Sequence, residues 1–246
     1  MIIVGDIGNT EIKICFFYNG VKKKYLFKTN SLNKKILKRR FNFLSKKIYL
    51  KNAIISSVVP KTFNQIKKIF FSLYKVNCIE LKKLNIPKLI NIKVNKKEIG
   101  SDRLANAISV LNKKKNFIVV DFGTATTFDV INKNNYLGGV IAPGVKLSLD
   151  SLIKKANLIP NIKFNKSKLI IGKNTKQAVL SGFFWGYNGL INGIISKIKK
   201  ETNQKYKIIF TGGLAHLFKK DTKDKIIIDK NLTINGLIKV SKYFNL

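Results

Sequence analysis

The chain opens with an apolar stretch that ends on an acid. Residues 1–7 read MIIVGDI, where aliphatic residues lead to Asp6, and Gly8 and Thr10 follow before a second apolar run begins. Short apolar runs bounded by Gly, Asn and Thr are typical of buried strands joined by tight turns. The pattern therefore predicts strand, turn and strand, and the Tyr-Asn-Gly sequence at 18–20 predicts a further hairpin turn.

The same order of residues occurs a second time. Residues 118–131 read IVVDFGTATTFDVI, so Asp121, Gly123 and Thr124 follow a buried apolar run as Asp6, Gly8 and Thr10 do. Asp, Gly and Asn are also favoured in ordinary hairpin turns. Two copies in one chain favour an internal duplication, in which Asp6 and Asp121 occupy equivalent places.

Beyond each copy, apolar strands alternate with amphipathic helices. A strand at 53–60 precedes a helix at 61–74, and a strand at 206–210 precedes a helix at 214–220. Such alternation predicts an α/β fold of two duplicated domains, with hairpin-linked strands and crossover helices, facing each other across a cleft. The Lys-rich segment 112–116 predicts the boundary, giving domains 1–114 and 115–246.

Residues 177–196 contain no charged side chain and are nearly long enough to cross a bilayer. Helical spacing places four glycines on one face, namely Gly182, Gly186, Gly189 and Gly193. Gln177, Asn188 and Asn192 would be costly in contact with lipid. The segment is therefore expected to be a buried helix, not a membrane span, and its glycine face to meet a second subunit, which makes the protein a homodimer.

The formal net charge of +36 would attract polyanions. The excess is almost all Lys, since Arg occurs only at 39, 40 and 103, and Arg is the better reader of bases and phosphates. The densest basic block, 34–47, has apolar residues at helical spacing and is typical of a solvated amphipathic helix. The sequence thus argues against a nucleic-acid partner.

Two widely separated cysteines, Cys15 and Cys78, form no metal-binding spacing and are expected to be reduced core thiols. The first apolar run reaches Asp6 too soon for a signal peptide. Both observations favour a cytoplasmic location.

The repeated loops have the chemistry of a nucleotide site. Glycine at a strand end lets backbone amides approach a phosphate, and Thr hydroxyls add donors without charge. Carboxylates cannot hold phosphate oxygens directly, so Asp6 and Asp121 imply cations or bridging waters, whereas Lys13 could neutralise a phosphate directly.

The segment GSDRLANAISVLN, 100–112, predicts a helix start. Ser101 resembles an N-cap, and Asp102 lies where the helix dipole favours a carboxylate. Capping alone explains these residues.

Six segments together resemble the type III pantothenate kinases, within the superfamily of acetate and sugar kinases, Hsp70 and actin. They are DIGNTEIK (6–13), GSDR (100–103), DFGTATT (121–127), GGVIAPG (138–144), IGKNT (171–175) and TGG (211–213). The resemblance implies duplicated actin-like domains of the ribonuclease H-like type. It also implies ATP-dependent phosphorylation of pantothenate to 4'-phosphopantothenate, the first step of coenzyme A biosynthesis.

The resemblance also assigns roles to individual residues. The first phosphate loop would contain Asp6, Gly8, Asn9, Thr10 and Lys13; the second would contain Thr124; Gly212 and Gly213 would flank the nucleoside. Pantothenate would contact Gly100, Ser101, Asp102, Arg103 and Thr175, with Asp102 as general base. Asp121 would bind a monovalent cation, K⁺ or NH₄⁺, and Mg²⁺ would accompany ATP.

The chain departs from the family pattern at 93–96, where Lys-Val-Asn-Lys replaces the Tyr, Asp, Asn and Pro often found there, so an aromatic contact to the substrate is missing. Two other functions remain open: a regulatory or nucleic-acid-binding relative that keeps the fold, and an actin-like ATPase without a small-molecule acceptor. The acid and arginine of the 100–103 segment favour the kinase, because an ATPase needs no acceptor pocket.

Overall fold

The computed structural model describes residues 1–18, 21–45 and 52–246. These residues fold into two compact units, one formed by residues 1–111 with 231–246 and the other by residues 112–230. Within the described residues, no helix has the length and apolar character needed to cross a membrane.

The first unit contains a five-stranded sheet and the helices that cover it. Its strands are β1 (Ile2–Ile7), β2 (Glu11–Tyr18), β3 (Val21–Lys28), β4 (Asn52–Ser57) and β5 (Asn77–Glu80), and a two-residue strand, β6 (Asn91–Ile92), follows. Its first three helices are α1 (Lys34–Arg40), α2 (Pro60–Tyr74) and α3 (Ser101–Val110). The strand order is β3-β2-β1-β4-β5, in which β1, β2 and β3 are antiparallel and β4 and β5 run parallel to β1.

Alternation along β1 decides which side chains are buried in each layer. Ile3 and Ile7 share one core with Ile66 and Phe70 of α2. Successive side chains of a strand point to opposite faces, so Val4 and Asp6 lie on the other face of the sheet. α3 contacts β4 and contributes no residue to the core under α2, so α3 covers the face that carries Asp6.

The second unit repeats this arrangement. Its strands are β7 (Asn116–Phe122), β8 (Ala125–Asn132), β9 (Asn135–Pro143), β10 (Lys207–Gly212) and β11 (Ile226–Ile228). Its helices are α4 (Val145–Lys155), α5 (Thr175–Thr202) and α6 (Ala215–Phe218). The order β9-β8-β7-β10-β11, with an antiparallel meander and two parallel strands, matches that of the first unit. The predicted duplicated α/β fold is confirmed by this shared topology.

The C-terminal helix α7 (Leu232–Tyr243) belongs to the first unit, whereas the sequence predicted a second domain of 115–246. α7 packs on α3 and β1. Thr233 donates a hydrogen bond to Asn106 (2.8 Å), and the Lys239 ammonium donates to the carbonyls of Ile108 and Leu111 (3.2 and 3.1 Å). The helix therefore caps the C-terminal end of α3, a long-range contact that the local pattern does not reveal.

The uncharged segment 177–196 lies within α5 and is buried on one face only. Phe184, Ile191 and Ile195 are in the core of the second unit. The four glycines of the opposite side are exposed, and a Cβ added at any of them would meet nothing within 4 Å. We call this surface, formed by Gly182, Gly186, Gly189 and Gly193, the glycine face.

Two further predictions fall partly on residues that are not described. The hairpin turn predicted at 18–20 involves residues 19 and 20, which lie outside the described ranges. The helix predicted over the basic block 34–47 is α1 followed by a short 3-10 helix at Asn42–Ser45, and residues 46 and 47 again lie outside.

Candidate active site

The first predicted phosphate loop is the tight connection between β1 and β2. The Gly8 amide donates to the Glu11 carbonyl (3.0 Å), which closes the turn. Thr29 holds the loop from behind, since its hydroxyl donates to the Gly8 carbonyl (2.8 Å) and its amide to the Thr10 carbonyl (3.0 Å). The Asn9 and Thr10 side chains are exposed at the tip. The loop is thus fixed on one side and open to a ligand on the other.

Asp6 and Lys13 lie beside each other at the base of this loop. They are directly opposite in the antiparallel register of β1 and β2, and Ser56 of β4 is opposite Asp6 on its other side. Cross-strand partners project from the same face of a sheet. A carboxylate, an ammonium and a hydroxyl therefore form a row, and the Lys13 ammonium also lies 3.8 Å from the Glu11 carboxylate.

The second predicted loop has the same architecture with different flanking residues. Asp121 lies near the end of β7, opposite Thr127 of β8 and Thr211 of β10. The Gly123 amide donates to the Ala125 carbonyl (3.0 Å), and the Thr124 side chain is exposed. Hydroxyls thus occupy both places beside Asp121, whereas Asp6 has an ammonium on one side.

Two glycines allow other segments to approach the second loop closely. Gly212 has φ +86°, and a Cβ there would lie 2.6 Å from the Phe122 carbonyl oxygen and 2.7 Å from Asp121 Oδ1. Gly144, at the N-terminus of α4, is so close to the Thr124 backbone that a Cβ would overlap it. The structure therefore brings Asp121, Thr124, Gly144 and Gly212 together in the second unit.

The predicted acceptor segment forms the N-terminus of α3. Gly100 is the N-cap residue, and the cap has no side-chain hydrogen bond. The prediction that Ser101 caps the helix is wrong, because Ser101 is the first helical residue and its hydroxyl donates to Glu80 Oε1 (2.6 Å). Asp102 is partly exposed in the first turn, where its Oδ1 accepts from the Arg103 amide (2.8 Å).

In the first unit, the β1–β2 loop and the α3 N-terminus lie at the same edge of the sheet. β1, β4 and β5 are parallel, and Glu80, which binds Ser101, is the last residue of β5. Ligands of open α/β sheets bind outside the carboxyl ends of the strands. Asp6 and Asp102 thus belong to the edge where such a site is expected.

Thr175 is the first residue of α5, in the second unit, and is exposed. Asn174 caps this helix by accepting from the Gln177 amide (2.9 Å), and Gln177 accepts from the Lys173 amide (3.0 Å). These reciprocal bonds fix the backbone on both sides of Thr175. The helix start that presents Thr175 is therefore well defined.

Sequence reasoning missed two kinds of residue. Thr127 was visible only as part of a β-branched strand, and its position beside Asp121 depends on the strand register. Glu80 contacts Ser101 across 21 residues of sequence, and no local pattern signals such a contact. In the described part of the chain, no group of three or more His, Cys, Asp or Glu residues is arranged to hold a metal ion.

The repeated sheet, with a Gly-Thr loop after the first strand of each unit and an acid before each loop, defines the class of the actin-like and sugar-kinase α/β proteins. Solved structures agree at the level of fold. A conserved Campylobacter jejuni protein assigned to a Baf family of transcriptional activators superposes with a TM-score of 0.67 at 22% identity, covering 100% of both chains. Inorganic polyphosphate/ATP-glucomannokinase from an Arthrobacter species superposes with a TM-score of 0.51 at 12% identity, covering 100% of this chain and 99% of that one.

Within that class, the chain belongs to the type III pantothenate kinase family. The family model described as "Type III pantothenate kinase" matches residues 2–197. A type III pantothenate kinase of Pelagibacter ubique is 55% identical over 244 residues, which cover 98% of each chain. A second, from Syntrophus aciditrophicus, is 33% identical and covers 96% of this chain and 97% of that protein.

Proposed function

We propose that this protein transfers the γ-phosphoryl group of ATP to the primary hydroxyl of pantothenate, which yields 4'-phosphopantothenate and ADP. The observation that carries the proposal is the 55% identity, over 98% of both chains, to a protein named type III pantothenate kinase. The geometry of the two loops and of the α3 N-terminus supports the same activity.

Asp102 is the proposed general base. The attacking hydroxyl must lose a proton as its oxygen bonds to the γ-phosphorus and the bond to the leaving ADP oxygen breaks. Asp102 is a partly exposed carboxylate with one oxygen bound to the Arg103 amide, so its other oxygen remains available as an acceptor. Arg103 beside it supplies positive charge for the substrate.

Each of the two loops is proposed to bind phosphate oxygens of ATP. Backbone amides and the exposed hydroxyls of Thr10 and Thr124 donate to phosphate oxygens, and Lys13 neutralises part of their charge. Mg²⁺ bound with ATP would supply further charge neutralisation, and the partly exposed Asp6 carboxylate provides a hard oxygen ligand for it, directly or through water. Pantothenate is proposed to contact residues 100–103 and Thr175.

Asp121 is proposed to hold a monovalent cation, K⁺ or NH₄⁺. The surroundings fit such an ion, because its cross-strand neighbours Thr127 and Thr211 offer neutral oxygens. Within the described residues, the buried Thr127 hydroxyl has no hydrogen-bond partner. Oxygen-rich surroundings of low charge suit a hard cation of this kind. When bound, the ion adds positive charge near the ATP phosphates.

The glycine face is proposed to be the centre of a homodimer interface. Segments that contact α5 carry exposed apolar side chains, among them Leu147 on α4 and Ile170, which follows the Leu169 carbonyl bound by Trp185 (3.2 Å). Small residues let two helices approach closely, and exposed apolar surface of this kind marks an interaction site.

The two free, buried thiols of Cys15 and Cys78 support a cytoplasmic, reducing location.

The test is coupled ATP consumption with and without pantothenate, in wild type and Asp102→Asn. Wild type is expected to consume ATP only with pantothenate, because the pantothenate hydroxyl is the nucleophile. Asp102→Asn keeps side-chain size but removes the base, so turnover should fall about 100-fold or more while the KM for ATP stays within about twofold. Asp150→Asn, an exposed acid on α4, is the matched control and should retain full turnover.

Three outcomes contradict the proposal or its assignment of Asp102. Equal ATP consumption with and without pantothenate would indicate an ATPase of the same fold. Near-normal turnover of Asp102→Asn would show that Asp102 is not the general base and serves only as a favourable charge at the N-terminus of α3. A regulatory role is separated by the same assay, since a protein that only keeps the fold gives no pantothenate-dependent turnover.

A further inference from the structure

A partly exposed acid, Glu80, ties the end of β5 to the start of α3. Glu80 uses both carboxylate oxygens, Oε1 accepting from the Ser101 hydroxyl (2.6 Å) and Oε2 from the Lys82 amide (2.8 Å). Ser101 is only 1% exposed, so its hydroxyl depends on this partner. The bond joins a strand end to the first residue of the helix that carries Asp102.

Lys82 fixes the chain that leads into the same helix. Its ammonium donates to the carbonyls of Lys97 and Ile99, both at 2.9 Å. Two carbonyls of one loop are thus held by one side chain, which in turn is anchored through its own amide to Glu80. We call the set Glu80, Lys82 and Ser101 the Glu80 clasp.

The N-cap of α3, at Gly100, has no side-chain hydrogen bond, so among the described contacts the clasp is what holds the start of this helix. The Asp102 carboxylate lies against the backbone of the segment, since Oδ1 accepts from the Arg103 amide and a Cβ at Gly100 would be 2.5 Å from that oxygen. The direction of the carboxylate therefore follows the backbone of residues 100–103. The clasp holds that backbone at its start, at Ile99 and at Ser101, on either side of Gly100.

We propose that Glu80 and Lys82 are positioning residues for the acceptor site, which hold Asp102 and Arg103 in the orientation that pantothenate and its reacting hydroxyl require. The proposal rests on the proposed function. Glu80 itself does not contact the reacting atoms, because its two oxygens are occupied by Ser101 and Lys82. A displacement of about 1 Å in a reacting group costs about 100-fold in rate, so loss of the clasp has a kinetic consequence.

The experiment compares Glu80→Ala, Lys82→Met and the control Lys83→Met. Lys83 is the exposed neighbour of Lys82 in the short 3-10 helix Leu81–Lys83. KM for pantothenate, KM for ATP and kcat are measured separately. Rates are expressed per mole of folded enzyme, and circular dichroism is used to measure the folded fraction. Glu80→Ala and Lys82→Met should lower kcat/KM for pantothenate about 10- to 100-fold and leave KM for ATP within about twofold. Lys83→Met should match wild type in all three constants.

A double-mutant cycle with Ser101→Ala tests whether Glu80 acts through Ser101. If it does, Glu80→Ala combined with Ser101→Ala should lower kcat/KM no more than about threefold beyond the more damaged single variant. Where Glu80→Ala does not fold, Lys82→Met provides the same test from the other side of the segment.

Three results overturn the proposal: variant constants within about twofold of wild type, equal losses for ATP and pantothenate, or multiplicative losses in the cycle. A wild type without pantothenate-dependent turnover is a different failure, because it removes the proposed function and this proposal with it. If wild type shows pantothenate-dependent turnover and the clasp variants match it, the proposed function is retained and only the positioning role of the clasp is rejected.

Discussion

Gly144 provides a sharp test of how the second loop is built. It is buried immediately before α4, with φ −74° and ψ 145°, a conformation that alanine adopts without strain. A Cβ at this position would nevertheless lie 2.7 Å from the Thr124 carbonyl carbon and 2.8 Å from the Gly123 carbonyl oxygen. Gly144→Ala therefore perturbs packing against the loop and nothing else in the local backbone.

The size of the effect follows from these distances. Non-bonded carbon atoms prefer about 3.5–4.0 Å, so the loop and the α4 N-terminus must separate by about 1 Å. The helix is held by buried Val145 and by Tyr187, whose hydroxyl bonds Ser148 (2.9 Å) and the Pro143 carbonyl (3.1 Å). The loop is then the part that moves. Overpacking of this kind costs about 1–3 kcal/mol of stability, and a shift of about 1 Å costs about 100-fold in rate.

The assay is steady-state kinetics with ATP varied at saturating pantothenate, together with urea unfolding. Gly144→Ala should lower kcat/KM for ATP about 100-fold and the free energy of unfolding by about 1–3 kcal/mol. Asp150→Ala, an exposed change on the same helix, should do neither. If Gly144→Ala retained kcat/KM for ATP within about twofold, the close approach of α4 would have no part in nucleotide binding.

Three further predictions concern the cation, the oligomeric state and a buried thiol. Activity should require K⁺ or NH₄⁺ in addition to Mg²⁺, and Asp121→Ala should abolish that dependence with most activity; a flat potassium titration against sodium or choline at fixed ionic strength would exclude the cation site. Light scattering at micromolar concentration should give a dimer mass for wild type and a monomer mass for Gly186→Leu, which fills the glycine face; the control Lys68→Leu, an exposed change on α2, should remain dimeric, and a monomeric wild type would contradict the interface. Burial raises the pKa of Cys78 from 9.0 to about 12. The stability that the neutral thiol contributes is therefore present below about pH 9 and is lost as pH rises toward 12, by up to about 4 kcal/mol. Urea unfolding between pH 8 and 11 should show a shallower alkaline decline in the free energy of unfolding for Cys78→Ala than for wild type, and identical slopes would refute this account.

The sequence was sufficient for the elements whose pattern is local. The apolar runs before Asp6 and Asp121 predicted two equivalent strand-turn-strand units, and both units have the same strand order. The predicted helix at 61–74 is α2, because Pro60 fits its first turn and its apolar residues keep helical spacing. These features depend on neighbours within a few residues, which a linear pattern records.

What the sequence could not show depends on contacts between distant residues. Ser101 has the residue type of an N-cap, but Glu80 offers its hydroxyl a stronger, charged acceptor. α7 follows the second unit in sequence and packs on the first, where Gly236 allows it to lie against the Ala105 carbonyl. Neither outcome changes the local pattern, so both required the tertiary structure.

The duplication shows where the two loops differ in chemistry. The position across from the strand-end acid carries Lys13 in the first unit and Thr127 in the second, and the position on the other side carries Ser56 and Thr211, respectively. The backbone frame is the same, so the difference in chemistry comes from side chains at equivalent places. The first loop has its own positive charge, which suits the phosphate binding proposed for it. The second surrounds its acid with neutral oxygens and therefore suits a bound cation as the source of positive charge. Exchanging Thr127 for Lys should accordingly reduce the dependence on potassium, whereas exchanging it for Val should weaken potassium binding without replacing the charge.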